Sequence, residues 1–129
     1  MTKEFKGLKK ITTDRFKFRV WDEKRKLYVL PGDLSIDFDG QLWENCTQLD
    51  NSDEHLIIEQ CTGLKDKNGK LIFEGDILRF STQFDVCVNF RNGGFVYSLY
   101  EDERLAYYLT EIISKSTQII GNIHEVEND

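Results

Sequence analysis

A chain of 129 residues with a net charge of −6 has the size of one domain and can bury a core without metal or disulfide staples. Nine Phe, five Tyr and two Trp against a single Pro exclude a disordered or fibrous chain. No apolar run reaches the length of a membrane span, and the charged N-terminus has no apolar stretch behind it, so it is not read as a secretory signal.

Charge is segregated along the chain. Residues 1–26 hold ten of the seventeen Lys and Arg against four acids, whereas residues 27–64 hold no base and eight acids. A basic arm and an acidic middle can pair with each other, within or between subunits, or face outside partners. Cys46, Cys61 and Cys87 lack the paired spacing of a disulfide framework or a zinc site, so the expected setting is reducing and cytoplasmic.

Residues 1–14 read as an N-terminal arm, with Phe5, Leu8 and Ile11 at three-residue spacing. Phe16–Trp21 alternates apolar and basic, the period of a half-buried strand. Phe16, Phe18 and Val20 fall on one face and Lys17, Arg19 and Trp21 on the other. Asp22–Lys26 is a charged turn into a second strand at Leu27–Leu30. Lys17, Arg19 and Trp21 form a candidate binding surface, because basic side chains beside an aromatic suit nucleic acid. The plainer reading is a sheet face that is solvated or covered by the acidic middle, since an acidic protein repels phosphates.

Pro31-Gly32-Asp33 turns the chain into a strand at Leu34–Phe38, and Asp39-Gly40 turns it again towards Leu42–Cys46. Thr47–Glu54 reads as a polar loop. Asp37, Asp39, Glu44, Asp53 and Glu54 make a candidate acidic surface that could mimic phosphates towards a basic partner.

Two apolar runs, Leu56–Ile58 and Leu71–Phe73, flank a polar turn with Asn68-Gly69 at its tip. Both residues accept the positive φ of a tight hairpin turn. Glu74-Gly75-Asp76 reads as turn chemistry in preference to a metal site, since two carboxylates alone are a poor ligand set. Strands follow at Ile77–Phe80 and Phe84–Phe90, then Asn92-Gly93-Gly94 forms a second hairpin into Phe95–Tyr100. Leu105, Leu109, Ile112 and Ile113 repeat at helical spacing, which predicts two or three helical turns within Glu101–Lys115. Thr117–Ile123 is a last strand.

His55 and His124 lie outside any catalytic motif and are expected at the solvated surface. The chain has no phosphate-binding glycine loop, no nucleophile elbow and no zinc-protease signature. The expectation is a protein without enzymatic activity, catalytic residues, metal or cofactor.

Lys17–Asp22 (K-F-R-V-W-D), Gln60–Lys70 (Q-C-T-G-L-K-D-K-N-G-K), Ile72–Leu78 (I-F-E-G-D-I-L) and Ile120–Glu125 (I-G-N-I-H-E) together resemble the YopX family of phage and prophage proteins. Cys61 stands where that family often has Tyr, and some fifteen residues precede the first block. The resemblance implies a mostly β fold with a small SH3-like barrel at the C-terminal side, oligomerisation and a bacterial host; it carries over no catalytic residue.

The expected fold is thus mostly β with minor α. It has an arm at 1–14, N-terminal β-hairpins at 15–55 and an SH3-like barrel with one short helix at 56–129. The expected function is a self-associating protein-binding module with a host or phage protein as partner. Nucleic-acid binding through the basic strand and arm is the alternative, and no membrane partner is expected.

Overall fold

The computed structural model describes residues 13–49, 55–99 and 102–125. After a 3₁₀ turn at Asp14–Phe16 come β1 (Phe18–Asp22), β2 (Leu27–Tyr28), β3 (Leu34–Ile36), β4 (Leu42–Glu44) and β5 (Thr47–Gln48). There follow β6 (Leu56–Lys65), β7 (Leu71–Phe73), β8 (Asp76–Phe80), β9 (Asp85–Arg91), β10 (Gly94–Leu99) and β11 (Asp102–Tyr108). A single helical turn, α1 (Glu111–Ser114), leads into β12 (Thr117–Asn122). The protein is mostly β with one short helix.

Among the described residues three sheets form, in the orders β2-β1-β6-β7, β11-β10-β9-β8-β12 and β3-β4-β5. The five-stranded sheet curls into a half-barrel. Its concave face supplies Leu78, Val86 and Val88, over which Ile72 and Leu109 close the buried core. Leu64, Phe80, Tyr97, Ile113 and Ile119 pack around that cluster.

The long strand β6 ties the first sheet together. Val20 pairs with Ile58 and Arg19 with Glu59, so β1 lies antiparallel along its first half. Its second half turns back into β7 through Asn68-Gly69, with Gly69 at φ 81°. Asp66 organises that turn from inside. One of its oxygens accepts the Asn68 and Lys70 N–H groups at 2.9 and 3.0 Å, and the other accepts Ile119 N–H at 3.0 Å. The hairpin is thereby pinned to β12, 53 residues on.

The second expected hairpin forms as β9–β10, with Phe90 opposite Phe95. Two expectations are overturned. Glu101–Lys115 is no two- or three-turn helix: β11 pairs along β10, with Tyr107 opposite Tyr97, and only α1 is helical. Leu105, Tyr107 and Leu109 also fit a period of two, and the free edge of β10 offers backbone partners that an isolated helix lacks. Thr110 then starts the helical turn, its hydroxyl accepting the Ile113 N–H. Thr47-Gln48, expected within a loop, is the short edge strand β5.

Candidate functional site: a buried ionic cluster between the sheets

Arg19 is central. From β1 its side chain crosses towards the half-barrel, between the rings of Tyr28 and Phe73, 4.7 and 4.9 Å from their centroids. Its Nε donates to Glu59 at 2.7 Å, and one terminal nitrogen donates to Asp76 at 2.8 Å and to the Glu74 carbonyl at 3.1 Å. Strand alternation placed Arg19 and Trp21 on one face. The half-barrel covers that face.

Glu59 is 3% exposed. Its first oxygen also accepts the Tyr28 hydroxyl at 2.8 Å, and its second lies 2.7 Å from His124 Nε2. Asp76 accepts Arg19 with one oxygen and the Phe73 N–H, at 2.8 Å, with the other. Neither carboxylate keeps an oxygen without a partner. Gly75 makes this approach possible. It sits at φ 85°, and a Cβ there would come within 2.8 Å of Glu59 Oε2.

His124 stacks flat on Trp21, with centroids 4.3 Å apart and planes 7° apart. Tyr28 meets both rings edge-on. The Trp21 indole N–H donates to Glu23. The turn after β12 is in this way clamped onto the N-terminal sheet.

Burial acts on these charges. It pushes the Asp76 carboxyl above the ordinary carboxylate range, against the opposing pull of Arg19. It also raises the Tyr28 phenol, although the Arg19 charge opposes it. Burial alone would lower Arg19, but the Asp76 and Glu59 carboxylates outweigh it and hold the guanidinium more firmly charged. The arrangement couples strands. Each oxygen of Glu59 and Asp76 already has a polar partner within it.

The remaining candidates are dispersed. Lys17 stays exposed and pairs with Asp14 at 3.2 Å. The expected basic face of Lys17, Arg19 and Trp21 is therefore not a single exposed surface: Trp21 is buried and Arg19 committed to carboxylates. Asp37 is bound to its own turn, accepting the Asp39 and Gln41 N–H groups and the Trp43 indole. Asp39 and Glu44 are exposed. Glu44 borders a cleft of about 390 Å³ that Lys24, Arg25, Asp33 and His55 also line. Asp53 and Glu54 lie outside the described residues.

Among the described residues no cluster of three or more His, Cys, Asp and Glu could hold a metal. Glu74 accepts the Gln60 N–H. Cys46, Cys61 and Cys87 are all thiols, with Cys46 exposed and the other two buried. Burial raises Cys61 above its ordinary range. His124, expected at the surface, is instead inside, its side chain 9% exposed. The sequence pattern assigns Asp76 to a turn and His124 to the surface, and it marks neither Glu59 nor Tyr28 as a site residue. The one available signal was that Glu59, Asp76 and His124 fall in or beside the quoted blocks around Arg19.

The model of the family described as YopX protein matches residues 17–128. The chain belongs to the YopX family. The YopX match begins at Lys17, one residue before β1, and spans every member of the ionic cluster. The crystal structure of protein EF1440 from Enterococcus faecalis is similar, with a TM-score of 0.55 and 25% identity. That similarity covers 84% of this chain and 93% of that one. No curated protein matches.

Proposed function

We propose that this YopX-family chain is a non-enzymatic binding module of a phage or prophage, acting by protein contact and associating with its own copies in the host cytoplasm. One observation carries the reading. The apolar concave face of the half-barrel runs on past its covered core to a rim where Leu99, Leu105 and Tyr107 are exposed. Large apolar groups clustered at a rim mark protein contact surfaces. The buried cluster supports the non-enzymatic part, since its carboxylates are consumed by one another's partners. The sequence blocks shared with YopX proteins supply the phage context. Among the described residues no helix is long and apolar enough to cross a membrane.

Light scattering at low and high salt tests the reading. A mass above one chain that persists in high salt is expected, because apolar contacts do not weaken with ionic strength. A monomer at both salts contradicts it. Nucleic-acid binding is disfavoured because Arg19 and Trp21 face inward. Binding that weakens steeply with salt would reverse that preference.

A further inference from the structure

Among the described residues β11 ends the five-stranded sheet, with no strand on its far side. Its pairing with β10 fixes which backbone groups are left over. Leu109 N–H donates to the Phe95 carbonyl at 2.9 Å, and the register continues as Tyr108 opposite Val96, Tyr107 opposite Tyr97 and Ala106 opposite Ser98. Antiparallel pairs alternate between hydrogen-bonded and open. Leu109 and Tyr107 therefore turn their N–H and C=O towards β10. Ala106 and Tyr108 turn theirs outward from the edge.

Such a row is a pairing template unless charge, proline or a covering element blocks it. β11 carries its charges at its start, in Asp102, Glu103 and Arg104, and the stretch from Leu105 to Tyr108 contains no charge and no Pro. Its side chains are open as well: Leu105 is 55% exposed and Tyr107 and Tyr108 are 59% exposed.

We infer that β11 pairs antiparallel with β11 of a second copy about a two-fold axis at Ala106, joining two half-barrels into one continuous ten-stranded sheet. The inference rests on the self-association proposed above and names its surface. A two-fold contact needs one patch that is complementary to itself, and this edge is. With Ala106 on the axis, the two outward Ala106 groups exchange both hydrogen bonds. Each Leu105 then faces the other copy's Tyr107 on the concave side, an apolar–aromatic pair of the kind that stabilises sheets. The small Ala side chain leaves the axis uncrowded. Leu99, Leu105, Tyr107 and Tyr108 together leave on the order of 400 Å² exposed, about half of the ~800 Å² per partner of a standard interface, and the strand backbone adds to this.

The test is sedimentation of the full chain and of two variants. Ala106→Pro removes the outward N–H at the axis while sparing the ladder to β10, a position where an edge strand accepts proline. Leu105→Lys changes a side chain that is already exposed. The wild type is expected at twice the chain mass, and both variants, still folded by circular dichroism, at half that value. If Ala106→Pro alone fails to fold, Leu105→Lys decides. A wild-type dimer that neither folded variant dissociates overturns β11 pairing and leaves self-association standing. A wild-type monomer at the highest attainable concentration overturns both.

Discussion

Two buried residues hold opposite lessons. Asp66 is 3% exposed, yet three backbone N–H groups satisfy it. Burial alone would raise its carboxyl, but those bonds, with help from Lys70, hold it below the ordinary range. The unfolded chain therefore takes up the Asp66 proton first as pH falls. Its contribution is full above the ordinary carboxylate value of about 3.9 and is lost as pH drops through the lower folded value. Asp76, raised by burial, works in the opposite sense. The difference between wild type and Asp66→Asn isolates the first effect. Asp66→Ala is expected to cost about 3 kcal/mol in chemical denaturation near neutral pH, and the advantage of wild type over Asp66→Asn is expected to narrow below pH ~4.

Ser98 is the converse. It is 1% exposed and its hydroxyl has no hydrogen-bond partner. Ser98→Ala removes an unsatisfied polar group, so the denaturation midpoint is expected to rise, by about 1 kcal/mol in stability. A loss of stability would mean that the hydroxyl is satisfied. The tip of the Asp66 turn was legible in sequence, because Asn-Gly supplies the positive φ a tight turn needs. The fate of the hydroxyl was not, because strand alternation assigns a face without saying what covers it.

Elements meet through the ionic cluster, and the same limit on alternation leaves open whether the Arg19 face is solvated or covered by the acidic middle. Arg19 bonds Glu59 of β6 and Asp76 of β8, and Glu59 in turn bonds Tyr28 of β2 and His124 of the turn after β12, at separations of up to 65 residues, which no local pattern encodes. Removing one member strands the others in a poorly solvating interior. Arg19→Met or Glu59→Gln is each expected to cost about 3–5 kcal/mol by urea denaturation. The double variant should cost at least ~1 kcal/mol less than the sum of the singles, since contacting residues couple. Additive losses would show that the two side chains act independently. Elsewhere the hairpins at Asn68-Gly69 and Asn92–Gly94 were readable from turn chemistry alone. β11 was not, because Leu105, Leu109 and Ile113 satisfy a helical spacing while Leu105, Tyr107 and Leu109 satisfy a strand's. The open edge of β10 decided between them.

At the scale of the molecule, the segregated charge is used internally where Arg19 of the basic segment binds Glu59 of the acidic one. Assembly through apolar contact at the β11 rim, as proposed, predicts a mass that holds as salt rises. Amide hydrogen exchange at increasing protein concentration tests this most directly. Protection of the Ala106 and Tyr108 amides, which point away from β10, is expected to rise with concentration, while that of Tyr107, bonded within the chain, stays constant. Exchange of Ala106 and Tyr108 at the same fast rate at every concentration would contradict pairing through this edge.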